Sequence, residues 1–469
     1  MRPHNTQPLV ETTWATAIEV AAAVTSGKLS AVNVIDHALA RIFDLNPKLN
    51  AFTAVTAERA KARANQIDAL RDKTILPLAG VPFAVKNLFD IKGLPTIAGS
   101  KINRVRAPAK QDSPLIARLE AAGAVLVGAL NMGEYAYDFT GENVHDGPSR
   151  NPYDRSRMTG GSSGGSGGAV AGGLVPLALG SDTNGSIRVP SSLCGIFGLK
   201  PTYGRLSRAR TFPFVASLDH LGPMARSVSD LAASYDAMQG PDPDDPACAQ
   251  RTSEPTASQL EHGSSGLRIA IAGDYFLKGA FSEALVALQS VAKALNAREE
   301  VDIPEVRRAR SAAYVITATE GAALHLDRLR RQACDFDPAV RDRLIAGAMV
   351  PATLVAKTQL FRRWYRDRVL EIFNQWDALI APATPCTAPK IGQQTLLLDG
   401  TEVPLRPNLG VYTQPMSFIG LPVVAVPVPL KPLPIGVQII AAPWREDVAL
   451  RIAYALEQMG TVAARRPSV

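Results

Sequence analysis

Residues 160–190 read GGSSGGSGGAVAGGLVPLALGSDTNGSIRVP, and the meaning of that stretch decides the fold. A flexible Gly/Ser linker is one reading. Linkers, however, do not run straight into an apolar segment such as AVAGGLVPLALG and then into a polar turn ending in Arg188 and Pro190. A phosphate-binding loop needs GxxxxGK[ST], with its lysine on the phosphates. The chain has no lysine between Lys110 and Lys200, so that reading fails. A dinucleotide fingerprint starts at Gly165 and Gly167 but meets Val170 where the third glycine belongs. The serious rival is the α/β-hydrolase nucleophile elbow, since GxSxG is matched around Ser162, Ser163 and Ser166. That motif requires a strand before it, a helix after it, and then Asp and His in that order. The preceding residues, SRNPYDRSRMT (149–159), do not look like a strand, and the last histidine is His325.

Outward from this stretch the pattern is helix–glycine–strand. Upstream, a helical segment spans residues 10–75. It holds an alanine-rich helix over Ala15–Thr25, a helix over Ala31–Phe43 capped by Ser30, and a third over Ala54–Leu70. A Gly/Ser-rich core follows over 76–240. Val81–Val85 reads as a strand that ends abruptly at Lys86 and Asn87. Asp112 is expected to cap a helix through Ala122, with Gly123 stopping it before a strand over Ala124–Val127. Residues 141–168 lose all periodicity, Leu174–Leu179 resumes as strand or helix, and Ser227–Met238 reads as a capped helix. Residues 241–266 are polar and proline-rich, which marks a linker or a long surface excursion. The C-terminal portion, 267–460, alternates again. Strands are expected at Leu267–Ala272, Ala378–Ala381, Val423–Val428 and Gly436–Ala441; helices at 281–296, 306–333, 351–375 and Glu446–Met459. The alternation predicts an α/β fold, a mixed sheet flanked by helices, in a single domain over 1–469.

Composition bounds the function. The chain has 469 residues, 46% hydrophobic and 20% charged, so it is not a disordered chain. A net charge of +7 weakly favours anionic partners or substrates. Cys194, Cys248, Cys334 and Cys386 lie far apart with no CxxC pair, which reads as reduced thiols in a cytoplasmic protein. The start, MRPHNTQPLVETTW, shows no apolar leader core. The most apolar region, Leu421–Pro443, contains six prolines and Lys431, so no membrane segment is expected.

The spacing GGSSGGS, then SDTNGSIRVP, resembles the amidase signature hydrolases. GVPFAVKN (80–87), GLKPTYGRLSR (198–208), SLDHLGP (217–223) and PIGVQII (434–440) resemble further blocks of that family, and the likeness runs from about residue 15 to 460. It implies a metal-independent serine amidohydrolase without a cofactor. Ser186 would be the nucleophile and Lys86 the general base. Ser162, on a cis peptide, would bridge the two by hydrogen bonds. It also implies an oxyanion hole from the backbone N–H groups of Thr183, Asn184, Gly185 and Ser186, with Asp182, Gly160, Gly161 and Ser163 in support. An ammonium has no lone pair, so Lys86 must be neutral, which burial away from carboxylates favours. Gly160, Gly161, Gly164 and Gly165 are expected to supply positive φ and close packing.

Two positions depart from the family pattern: Asn184 stands where Gly is usual, and Asn87 where Asp is usual. Asn tolerates the left-handed region, so the turn survives, and its side chain in the pocket would favour a small substrate. Asn131, Tyr135 and Arg188 are candidate substrate contacts, and NMGEYAY (131–137) resembles a family pocket segment with Tyr135 and Tyr137 as candidate wall residues, where packing fits as well. Asp182 and Arg188 equally fit a salt bridge bracing the turn. His145 and His220 have no metal-ligand spacing. The arginines of FRRWYRDR (361–368) read as a solvated helix face, with nucleic acid not expected. The resemblance points to a small carboxylated urea or biuret as substrate, with ammonia released. It also allows an A-type subunit of a tRNA-dependent glutamine amidotransferase, a small accessory subunit like that enzyme's C subunit, and a homodimer core.

Overall fold

The computed structural model describes residues 9–468. The first eight residues of the N-terminal stretch read above lie outside them. The strands, in chain order, are β1 (Phe52–Val55), β2 (Pro82–Lys86), β3 (Val125–Leu130), β4 (Arg150–Asn151), β5 (Asp154–Met158), β6 (Leu177–Asp182), β7 (Phe197–Lys200) and β8 (His220–Ala225). They continue with β9 (Ile269–Ala272), β10 (Glu300–Val301), β11 (Ala378–Pro382), β12 (Thr395–Leu398), β13 (Thr401–Pro404), β14 (Val423–Val428) and β15 (Ile435–Ala441). Eleven of them form one mixed sheet in the order β1-β3-β2-β6-β8-β7-β14-β15-β11-β9-β10, flanked by helices. The pairs β4–β5 and β12–β13 are separate ribbons.

β2 and β6 are buried along their whole length, which is why they read as unbroken apolar runs rather than alternating ones. They pair in parallel with Val85 opposite Leu179. Parallel pairing brings their C-terminal ends to the same edge, so Lys86 and Asp182 emerge side by side. The Gly/Ser run between them is no linker. Residues Gly164–Ala171 form a helix in which every residue is buried. Strands before and after 241–266 belong to the same sheet, and that excursion is fastened down. Its short 3-10 turn Ala257–His262 lies on the closing helix Glu446–Gln458, and Asp245 pairs with Arg208 at 3.0 Å.

Several expected elements take other forms. The helix from Ser30 runs on to Leu49, carrying Pro47, until Asn50 ends it at φ 50°. Residues 54 and 55 are not helical. They belong to β1, which pairs antiparallel with β3, and the helix spans Ala57–Asp68 instead. Asp112 does not cap the next helix. Pro114 at its first turn fixes the start one residue after Ser113, and the Asp112 carboxylate takes Arg59 at 2.8 Å and the Lys92 N–H at 2.9 Å. The unpatterned stretch before Ser162 contains β5, so it is not strand-free; β5 pairs with two-residue β4 and bridges Lys390 through Arg157, away from the central sheet. The helix near 351–375 is Ala352–Ile372, and a separate helix, Pro338–Ala348, precedes it. β7, β8 and the helix Arg188–Cys194 were not expected. Among the described residues no single helix is long and apolar enough to cross a membrane.

Candidate active site

Lys86 is the last residue of β2 and is fully buried. Its Nζ donates to Ser162 Oγ at 2.7 Å and to Ser181 Oγ at 2.8 Å. A neutral amine has two N–H donors and one lone pair, so at 2.7 Å the Ser162 hydroxyl can turn to donate to that pair while an amine N–H stays on Ser181 Oγ. Burial pulls the amine down to about 7, against the opposing pull of Asp182, Asp219 and Asp138. The adjacent Asn87 adds no charge; its amide donates to Thr53 Oγ1 at 3.2 Å and accepts from Gly99 N–H at 3.0 Å.

Ser162 follows a cis peptide bond, Gly161–Ser162. The loop carrying it is stitched to β6. Ser163 Oγ donates to the Ser181 carbonyl at 3.2 Å and accepts from Ser181 N–H at 3.3 Å, and Ser166 Oγ donates to the Leu179 carbonyl at 3.0 Å. Of the four glycines expected to need positive φ, only Gly160 has it (78°). Close approach explains Gly161, where a Cβ would lie 2.5 Å from Asp138 Oδ2.

Ser186 sits on the turn between β6 and the helix Arg188–Cys194. Its carbonyl accepts from Ser163 N–H at 3.3 Å, which joins the two loops. Among the described residues no hydrogen bond links Ser186 Oγ to Ser162 Oγ, so the expected serine–serine bridge is not made at rest. The Ser186 hydroxyl instead lines an open cleft, and such contacts commonly tighten only around a bound substrate. The N–H groups of Thr183, Asn184, Gly185 and Ser186 likewise reach no acceptor among the described residues. Thr183 Oγ1 donates to Asp219 Oδ1 at 2.6 Å. Gly185 has φ 142°, and a Cβ there would meet Thr413 Oγ1 at 2.1 Å, so glycine is needed at this corner. Asn184 has no positive φ; its tolerance of the left-handed region is not used. Its side chain does reach the cleft, as expected, and donates to Thr317 Oγ1 at 2.9 Å.

Arg188 braces the turn. Its five donors are all engaged: Nε and Nη2 with Asp182 at 3.0 Å each, Nη1 with the Thr413 carbonyl and Gln438 Oε1 at 3.0 Å each, and Nη2 with Ser417 Oγ. It is fully buried and has no donor left for a substrate. Asn131 and Tyr135 also lie away from the cleft. Asn131 Nδ2 donates to the carbonyls of Asn50 and Gly147. Tyr135 packs in an aromatic nest, 4.1 Å from His325 and 5.3 Å from Phe212 between ring centroids. The cleft, about 300 Å³ with its open mouth, is lined instead by Tyr137, Phe214, Tyr314, Arg343 and Gln414 beside Thr183, Asn184 and Ser186. Of these, sequence reading singled out Tyr137 only. Ser181 was legible in principle, one residue before Asp182 on the strand beside Lys86. Arg343 and Gln414 come from distant segments with no local signal.

The histidines are engaged elsewhere. His145 Nε2 lies 2.9 Å from Glu134 Oε1, His220 Nδ1 lies 3.0 Å from the Asp182 carbonyl, and His325 is held in the aromatic nest. Among the described residues no group of three or more His, Cys, Asp or Glu could hold a metal.

Residues 33–450 match the Amidase family. The chain is 53% identical over 448 residues to the 1-carboxybiuret hydrolase subunit AtzE of Pseudomonas sp. (strain ADP), covering 94% of this chain and 98% of that protein. It is 35% identical to the A subunit of the glutamyl-tRNA(Gln) amidotransferase of Roseiflexus castenholzii, covering 98% of each. A solved structure described as a vestigial protein complex revealing the origins of an s-triazine catabolic enzyme superimposes with a TM-score of 0.95 at 52% identity. It covers 96% of this chain and 100% of that one. A crystal structure of an amidase gives a TM-score of 0.85 at 30% identity, covering 95% of this chain and 100% of that one.

Proposed function

The chain belongs to the amidase signature family, and from that premise we propose that it hydrolyses a small urea-type amide, 1-carboxybiuret, through an acyl-enzyme on Ser186. The observation that carries the chemistry is Lys86, fully buried, lowered to about 7 and within hydrogen-bond reach of two hydroxyls, one of them Ser162. Ser186 Oγ attacks the terminal carbamoyl carbon while its proton passes through Ser162 to the Lys86 lone pair. The tetrahedral oxygen takes the free N–H groups of residues 183–186, where one such donor is worth roughly 3 kcal/mol. Collapse breaks the C–N bond, Lys86 returns the proton through Ser162, and ammonia leaves. Water attacks the acyl carbon by the same relay in reverse and frees Ser186. The Asn184 side chain narrows the cleft beside Ser186, which supports a compact substrate.

The test is ammonia release by the purified chain from carboxybiuret, biuret, allophanate, glutamine and aryl amides. We expect release from the ureides without any partner. Release only from glutamine, and only with tRNA and a second amidotransferase subunit, overturns this reading in favour of the amidotransferase one; 53% identity against 35% supports the hydrolase.

Both relatives are named as subunits, which supports a small accessory partner for this chain as well. Leu360 and Trp364, on the helix Ala352–Ile372, and Met349 just before it, are exposed apolar residues suited to such a partner, or to a second copy of the chain. Hydrogen exchange over that helix is expected to slow when the partner is co-expressed, and unchanged exchange overturns the docking. The four unpaired cysteines support a cytoplasmic location.

A further inference from the structure

Two buried polar atoms on side chains that line the cleft have no partner among the described residues. Gln414 is fully buried; its Oε1 accepts from Arg310 Nε at 2.9 Å, but its Nε2 donates to nothing among the described residues. Asn184 is buried; its Nδ2 donates to Thr317, but its Oδ1 accepts from nothing among them. Both side chains line the same cleft as Ser186. Buried polar groups are nearly always satisfied, and one left bare is costly, so a donor and an acceptor both vacant beside a nucleophile call for a complementary ligand.

We propose that Gln414 and Asn184 form a donor–acceptor pair that reads the acylurea edge of the substrate, and so select nitrogen-linked over carbon-linked amides. The inference rests on the amidase reading above. In an acylurea, –CO–NH–CO–NH2, the N–H beside the reacting carbonyl lies next to a second carbonyl. Asn184 Oδ1 accepts from that N–H and Gln414 Nε2 donates to that second oxygen. A carbon-linked amide offers CH2 in place of the N–H and leaves Asn184 Oδ1 bare. Sites built around a substrate N–H reject analogues lacking it far more strongly than apolar pockets reject a missing methylene.

Biuret and malonamide differ only in N–H against CH2 at the central atom, and propionamide lacks the second carbonyl. Their dissociation constants are read by ligand-observed NMR on full-length chain carrying Ser186→Ala, where no acyl-enzyme forms. Biuret is expected to bind about tenfold or more tighter than malonamide. Asn184→Gly, which leaves its backbone N–H in place, is expected to bring that ratio close to one. Gln414→Glu keeps an oxygen for Arg310 but removes the donor, and is expected to cut the preference for malonamide over propionamide by about tenfold. Each ratio is taken within one preparation, so a partly misfolded variant does not distort it. A biuret-to-malonamide ratio near one in the parent, or both ratios surviving the two substitutions, overturns the pair. Ammonia release from ureides by the unsubstituted chain is a separate measurement, so failure of the amidase reading shows there and not here.

Discussion

Ser186→Ala is expected to lower kcat for ammonia release by at least about 10⁴-fold while leaving the fold unchanged. Loss of a serine nucleophile removes the covalent route altogether, and what survives is the rate from binding and oxyanion stabilisation. The stability side is unusually clean. Ser186 is buried, but its Oγ makes no hydrogen bond to a described residue, so its removal leaves no partner unsatisfied and costs about 1 kcal/mol or less. The two measurements are steady-state ammonia release and the thermal midpoint. Intact-mass analysis after acid quench adds a third: the unsubstituted enzyme should carry an acyl adduct that the variant lacks. Turnover near that of the unsubstituted enzyme would remove Ser186 as nucleophile and return the question to Ser162 or Ser166.

Lys86→Met is expected to do two opposite things: cut kcat about 10⁴-fold and relieve the cost of burying an amine. The loss follows from removing the base, whose contribution is commonly about 10² to 10⁴, together with the relay it terminates. The gain follows from linkage. The amine falls from 10.5 to about 7 on folding, so between those values the unfolded chain holds a proton that the folded chain does not. The unfolding free energy of the native protein therefore rises with pH across that window and is lowest below it. Near pH 7 the cost is roughly 4 to 5 kcal/mol, and methionine, of similar length and uncharged, does not incur it. Methionine also leaves the buried Ser162 and Ser181 hydroxyls without their Lys86 partner, which offsets the gain by about 1 to 3 kcal/mol each, so the thermal midpoint of Lys86→Met relative to the native protein should be highest near pH 7 and fall toward pH 10.5. In the native enzyme kcat/KM should fall tenfold per pH unit below about 7, and that limb should be missing from any residual activity of the variant. A midpoint difference that does not change between pH 7 and pH 10.5 would mean that Lys86 is charged in the folded state.

What could be read from residues and what could not divides along sequence distance. Ser30 and Ser227 cap their helices because capping is decided within four residues, and Val423–Val428 is a strand to the residue because an apolar, valine-rich run between prolines admits little else. Lys86 was legible for a similar reason: a charge at the end of an otherwise apolar strand stands out. The errors came where a distant partner decided. Residues 54 and 55 look helical until β3 offers them a ladder, and Asp112 looks like a cap until Arg59 arrives from over fifty residues upstream. Arg188 beside the nucleophile fitted both a brace and a substrate ligand. Only Thr413, Ser417 and Gln438, more than two hundred residues later, decide for the brace. The wall of the cleft was illegible for the same reason, since Tyr314, Arg343 and Gln414 are gathered by tertiary packing alone.

The placement of β14 and β15 has a consequence for how the protein is made. These last two strands lie in the interior of the sheet, between β7 and β11, and β15 carries the Gln438 oxygen that takes an Arg188 donor. A nascent chain still held at the ribosome, or one cut short by a premature stop before Ile435, therefore presents two half-sheets with raw edges and a nucleophile turn that lacks one of its anchors. The turn that carries Ser186 is complete only once β15 has been made, and chains stopped before Ile435 are expected to be inactive.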